Sequence, residues 1–114
     1  MSDCIFCKII EKKLPAKIVY EDGLALAFED IDPQAPIHIL IIPKKHIPTI
    51  LDLEEDDDNL VAHLVTIARR VAKEKGIAEK GFRIVTNCNP ESGQAVYHIH
   101  FHVLGGRRMH WPPG

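Results

Sequence analysis

His98-Ile99-His100-Phe101-His102-Val103 alternates without exception between an imidazole and an apolar side chain. Side chains on a strand point to opposite faces with a period of two. The pattern therefore predicts a strand whose three histidines share one face while Ile99, Phe101 and Val103 share the other. Burying the apolar row turns the imidazoles outward or into a cleft. Neighbouring rings on that face lie roughly 7 Å apart, where two unit charges at an effective dielectric near 20 repel by about 2–3 kcal/mol. Joint protonation is disfavoured, and neutral rings are expected at pH 7. A neutral imidazole nitrogen is a metal ligand, a general base or a nucleophile, so the row suits chemistry at phosphorus or at a metal. A solvated strand face is a poor account of three of the chain's seven histidines falling within five positions.

Working outward, the histidine strand is expected over 96–104, ended by Gly105-Gly106. The polar loop before it runs from Asn87 to Gly93, after a strand over 82–86. Upstream, Leu60, Leu64, Ile67, Ala68, Val71 and Ala72 mark one face of a long amphipathic helix that Gly76 stops. The acidic run 53–58 before it reads as favourable charge at the positive helix end rather than as a site, and His63 within the helix reads as satisfied or solvated. Ile37 to Ile42 is apolar at almost every position, as suits a central strand covered on both faces. Two shorter strands, 18–21 and 24–29, flank Asp22-Gly23, a strong turn dipeptide. Cys4 to Ile10 reads as a short helix stopped before Pro15. These elements make an α+β fold: a five-stranded, largely antiparallel sheet with one long and one short helix, both expected on the same side.

The 114 residues and 12.8 kDa suit a single domain, 1–114. A formal charge of -2 leaves no broad positive field, which argues against binding a nucleic acid duplex. No membrane span or secretory leader is legible, so a cytoplasmic protein is expected.

Three cysteines are an odd count, and Cys4 and Cys7 lie too close together to brace a fold, so metal or redox use is favoured over disulfides. Cys4-x-x-Cys7 has the spacing of a zinc knuckle and needs two more ligands, for which His46 and His98 are the obvious partners. Such a site would tie the marginal first helix to the sheet, and structural zinc is worth on the order of 10 kcal/mol in small peptides. Two reduced thiols packed as small apolar residues are the plain alternative. A cupin-like use of the row fails, because no Asp or Glu follows His102. With His98 given to the metal, His100 and His102 remain for a reaction. The loop ahead of them, with Asn87 and Gly93, offers backbone N–H groups to an anion.

The His98-x-His100-x-His102 pattern resembles the histidine triad of the HIT superfamily. Gly93-Gln-Ala-Val-Tyr-His-Ile-His-Phe-His-Val-Leu-Gly-Gly106, the tail Met109-His-Trp-Pro-Pro-Gly114, and upstream Phe28-Glu-Asp-Ile31 and Pro33-Gln-Ala-Pro-Ile-His38 resemble its Hint branch of purine nucleoside phosphoramidases. The resemblance implies a homodimer whose sheets join into a ten-stranded one, acting on purine nucleoside 5'-monophosphates joined through P–N to an amine. It assigns His100 as nucleophile, His98 to orient it through its carbonyl, His102 to donate to a phosphate oxygen or leaving group, and His38 to complete the cluster. Asp30 would hold the ribose hydroxyls. Ile5, Phe6, Ile9, Phe28 and Ile31 would line the base slot, and Asn87 and Gly93 would hold the sugar-phosphate. Trp111, in the 105–114 tail, would pack near the partner's site. Ala95 stands where animal members usually carry a serine that contacts the leaving group, removing a hydrogen bond worth about 1 kcal/mol. Cys4 and Cys7 are absent from that animal branch but similar to the zinc pair of bacterial relatives. Three rival readings remain open: a nucleotide-binding scaffold without turnover, a dinucleoside polyphosphate hydrolase, and a zinc-storage or zinc-sensing module using the whole row.

Overall fold

The two central strands are apolar on both faces, and that fact arranges the rest of the fold. In the computed structural model, which describes residues 3–114, β2 (Ala25–Glu29) pairs antiparallel with β3 (Ile37–Pro43), Ala27 opposite Ile41 and Phe28 opposite Leu40. Met1 and Ser2, the start of the expected domain, lie outside the described residues. β1 (Ile18–Glu21), β4 (Phe82–Val85) and β5 (Phe101–Gly105) complete a five-stranded antiparallel sheet in the order β1-β2-β3-β5-β4. β1 and β4 are its rims.

Alternation sends Ala25, Ala27, Ile39 and Ile41 to one face, where they pack with Leu64, Ile67, Ala68 and Val71 of the long helix α2 (Asp58–Glu74). Leu26, Phe28, Leu40 and Ile42 go to the other face and meet Phe6 and Ile9 of the short helix α1 (Ile5–Ile10). The helices therefore cover opposite faces, not one side as the sequence reading had it. A sheet that is apolar above and below needs cover on both faces. α1 is too short to persist alone and owes its position to this burial.

The acidic run folds into 3-10 turns, Ile50–Asp52 and Glu55–Asp57, that lead into α2. Within it Asp57 is buried, accepting the Glu54 N–H and a 2.7 Å bond from the Lys45 ammonium. His63 is satisfied: its Nε2 lies 2.6 Å from Asp22 Oδ2, which also accepts the Tyr20 hydroxyl, while Asp22 Oδ1 accepts the Leu24 and Ala25 N–H groups. This knot ties the β1–β2 turn to α2. Among the described residues no helix is long and apolar enough to cross a membrane.

The last strand departs from expectation in length. It begins at Phe101 rather than Val96. Although β3 itself runs on to Pro43 beside β2, the last β3–β5 pair is Ile41 with Phe101, so the chain ahead of Phe101 has left the ladder. Its polar groups go elsewhere: the Ile99 N–H donates to the Ile47 carbonyl and the Thr86 hydroxyl donates to the His100 carbonyl. The two-fold alternation survives without the ladder. Ile99, Phe101 and Val103 join the α2 side of the core, and the rings of His98 and His100 lie edge-on to Phe6 of α1 on the other.

Candidate active site and metal centre

Two groups of side chains use the histidine row from opposite ends. At the start of the row, His98 is fully buried and its Nε2 lies 2.8 Å from the Pro43 carbonyl. A carbonyl only accepts, so Nε2 carries the proton and Nδ1 presents a bare lone pair. That lone pair faces Cys4 Sγ at 3.4 Å, Cys7 Sγ at 3.7 Å and His46 Nδ1 at 3.2 Å, while Cys7 Sγ and His46 Nδ1 are 3.3 Å apart. A tetrahedral zinc site, with bonds of about 2.0–2.3 Å, has ligand-to-ligand edges of about 3.3–3.8 Å. The four donors meet that description, and they could hold a metal ion. The Pro43 carbonyl fixes the ring as a protein hydrogen bond commonly does behind a metal-bound histidine. Burial pushes the Cys7 thiol up to about 11, and Cys4 beside it adds to the shift. Left to itself the Cys7 thiol refuses to ionise, and a cation beside it is what would hold it as a thiolate.

The other end is a hydrogen-bonded line of imidazoles. His100 Nδ1 lies 2.8 Å from the His98 carbonyl and donates to it, so His100 Nε2 keeps an unprotonated lone pair. His38 Nδ1 accepts the Gln34 N–H at 3.0 Å, which leaves the His38 proton on Nε2. That proton points at His102 Nδ1, 2.9 Å away, with Asp30 Oδ2 at 3.4 Å as a second acceptor. His102 then carries its own proton on Nε2. One backbone carbonyl and one backbone N–H thus decide which nitrogens donate and which attack.

Burial is the main reason the rings stay neutral. It pushes His102 down from 6.5 to about 4, with His100 and His38 adding to the shift. Burial likewise lowers His38, against the pull of Asp30 and Asp32, and lowers His98, against its bond to Pro43. For His98 and His102 the neutrality expected from mutual repulsion holds, with desolvation the larger cause and repulsion the smaller.

The remaining candidates are spread more widely. Phe6, Ile9 and Phe28 are core residues, 5%, 9% and 4% exposed. Ile5 and Ile31 present open apolar surface at 46% and 98%. Asp30 accepts the Asp32 N–H through Oδ1 and turns Oδ2 toward His38. Asn87 is half-buried in the loop after β4, and Gly93 adopts a φ of +90° that favours glycine. Ala95 is exposed beside Cys4, Ile5 and His46, on a shallow cavity of about 420 Å³. Trp111 stands 82% exposed in a tail held to β4 by an Arg83 bond to the His110 carbonyl. The sequence reading did not single out Gln34, Pro43, Thr86 or Gln94. The first two act through backbone atoms, which leave no mark in residue type. Gln94 is buried, accepting the Asn89 N–H and donating to the Pro48 and Val96 carbonyls, which pins the loop ahead of the row.

The HIT domain model matches residues 11–109. The chain belongs to the HIT family. It is 50% identical over 112 residues to an uncharacterised HIT-like protein of Synechococcus elongatus, covering 98% of this chain and 97% of that one. The crystal structure of a HIT family hydrolase from Legionella pneumophila is 54% identical, with a TM-score of 0.97 over 98% of this chain and 100% of the other. A HIT family hydrolase from Clostridium thermocellum is 45% identical, with a TM-score of 0.94 over 96% of each chain. This HIT chain therefore has the fold of those hydrolases throughout the described residues.

Proposed function

We propose that this HIT protein is a nucleotide hydrolase of the phosphoramidase type, cleaving the P–N bond between a purine nucleoside 5'-monophosphate and an amine. The observation that carries the reading is the 2.8 Å bond from His100 Nδ1 to the His98 carbonyl, which leaves Nε2 as a lone pair beside proton-donating neighbours. His100 Nε2 attacks the α-phosphorus and forms a P–N bond to the ring. The bond to the leaving nitrogen breaks, and that nitrogen takes the proton from His102 Nε2 and departs as a neutral amine. Water then attacks the nucleotidyl-histidine, gives a proton back to His102, and releases the monophosphate with His100 restored. His38 steadies His102 through both steps. Burial keeps His102 and His38 beside it neutral, so the tautomers set by the hydrogen bonds are the ones the reaction uses.

Asp30 serves the ribose hydroxyls. Ile5 and Ile31 offer apolar surface to the base, backed by Phe6, Ile9 and Phe28, and Asn87 and Gly93 hold the sugar-phosphate. Cys4, Cys7, His46 and His98 hold zinc in a structural role, apart from the reacting atoms. The protein is cytoplasmic and forms a homodimer of single domains whose sheets continue into a ten-stranded one, Trp111 lying near the partner's site. The open rim of β4 supports that arrangement. The test is to supply adenosine 5'-phosphoramidate to purified protein and measure released AMP. Hydrolysis lost in His100→Ala supports the reading, whereas tight AMP binding without turnover of any amine conjugate replaces it with a nucleotide-binding scaffold.

A further inference from the structure

The loop Asp30–Pro36 and the start of the tail meet beside the histidine cluster, and no reactive group of the loop explains the contact. Gly106 has a φ of +90°, and a Cβ there would come within 2.9 Å of Pro36 Cβ, so the Gly106 backbone meets the Pro36 ring at a distance only glycine permits. Next to it, Arg107 Nε donates to the Gln34 carbonyl at 3.1 Å. The Gln34 side chain donates to the Asp32 carbonyl at 2.9 Å, and Asp32 donates its N–H to Asp30 Oδ1 at 2.8 Å. The loop is thus held from within and clamped from the tail. Two of its N–H groups reach His38: that of Asp30 donates to the His38 carbonyl and that of Gln34 to the ring Nδ1, each at 3.0 Å.

We propose that Arg107 and the Gln34 N–H are positioning elements that fix the tautomer of His38 and, through it, keep the transferable proton on His102 Nε2. The inference rests on the hydrolase reading for its kinetic consequence but not for its structural one. An imidazole with no partner on Nδ1 exchanges its proton between both nitrogens. If His38 carried the proton on Nδ1, its Nε2 would become an acceptor facing His102 Nδ1. His102 would then turn its own proton inward to meet it and lose it from Nε2, where a leaving amine needs it. The Gln34 N–H forbids this arrangement because it can only donate. Arg107 holds residue 34 where that donation is made, reaching His102 through three hydrogen bonds and touching no substrate.

Gln34→Pro removes the N–H, Gln34→Ala keeps it, and Arg107→Met removes the clamp while keeping an apolar stem. Two readouts are taken on the full chain. The first is the His38 ring tautomer from long-range nitrogen–proton NMR spectra. The second is the ratio of turnover for an AMP phosphoramidate to that for a nitrophenyl ester of AMP, whose leaving group departs without a proton. The expected result is an Nε2–H tautomer in the unmodified protein and in Gln34→Ala, and a mixture of tautomers in Gln34→Pro. The turnover ratio falls about 10-fold in Gln34→Pro and about 3-fold in Arg107→Met, fractions of what a positioned general acid supplies. A purely structural role would slow both compounds alike and leave the ratio unmoved. The proposal is overturned if His38 keeps its Nε2–H in both Gln34→Pro and Arg107→Met. Should Gln34→Pro fail to fold, the ring spectrum of Arg107→Met decides. If the unmodified protein hydrolyses neither compound, the hydrolase reading falls, and the tautomer measurement still stands or fails on its own.

Discussion

The two ends of the histidine row use the same residue type for opposite purposes. At His98 the Pro43 carbonyl occupies Nε2 and turns Nδ1 toward two thiols and a second imidazole, a closed arrangement with both nitrogens of that ring engaged. Two residues on, the His98 carbonyl occupies Nδ1 of His100 and leaves Nε2 free. The ring is the same, and what differs is which nitrogen a backbone carbonyl claims. A histidine becomes a metal ligand or a nucleophile according to its hydrogen bonds, and His98 takes part in both centres, with its ring in one and its carbonyl in the other.

If that division is real, each end should fail in its own way. His100→Ala should lower AMP release by at least about 10³-fold while leaving the thermal midpoint within a few degrees. A comparable fall in both would merge the two ends into one structural unit. Cys7→Ser should do the reverse: elemental analysis should find one metal ion per chain in the unmodified protein and none in the variant, with stability lowered by on the order of 5 kcal/mol in chemical denaturation. Turnover per folded molecule should stay within about three-fold; if it collapses with the metal, the structural assignment is wrong.

Acid should separate the ends more gently. A ring that stays neutral in the folded state, while the unfolded chain takes up a proton, contributes stability that is full above 6.5 and lost as pH falls. For His102 the loss runs from pH 6.5 to about 4 and is level below that. His38 and His98 shift the same way. Burial works against the Asp22 carboxylate, but the Leu24 N–H, His63, Tyr20 and the Ala25 N–H outweigh it and hold the group well below its ordinary 3.8, so its contribution disappears only at lower pH still. Thermal midpoints taken from pH 7.5 to 3 should therefore fall in two stages. His102→Asn should flatten part of the upper stage and leave the lower one, and equal metal loading cancels any effect of the metal centre between the two proteins. The smallest effect belongs to His63→Gln, remote from both ends: about 1 kcal/mol of stability for a half-exposed pair, with unchanged turnover.

Strict alternation from His98 to Val103 told which rings share a face, because the strand period depends only on side-chain direction. It did not tell where the strand begins, because the ladder ends at the Ile41–Phe101 pair although the alternation and β3 both run on, a fact about strand pairing rather than residue type. The four donors that could hold a metal ion were legible as Cys4-x-x-Cys7 with His46 and His98, since thiols and imidazoles are visible as residue types. The backbone groups bonded to the rings were not, because a carbonyl like that of Pro43 is present in every residue and an N–H like that of Gln34 in every residue but proline. The apolar run of β3 asked for cover on both faces, and α1 was assigned to the wrong one because six residues carry too weak a pattern to say where they dock.

The outer rim of β4 carries one further implication. There, amide groups of Phe82–Val85 meet no strand among the described residues, and Ile84 stands 38% exposed. Such a border is a template for cross-β growth, blunted here by the charge of Arg83 and by the brevity of the strand. A copy of the chain that capped this border would do more than enlarge the sheet: it would remove the place where fibrils start, making self-association a safeguard of solubility.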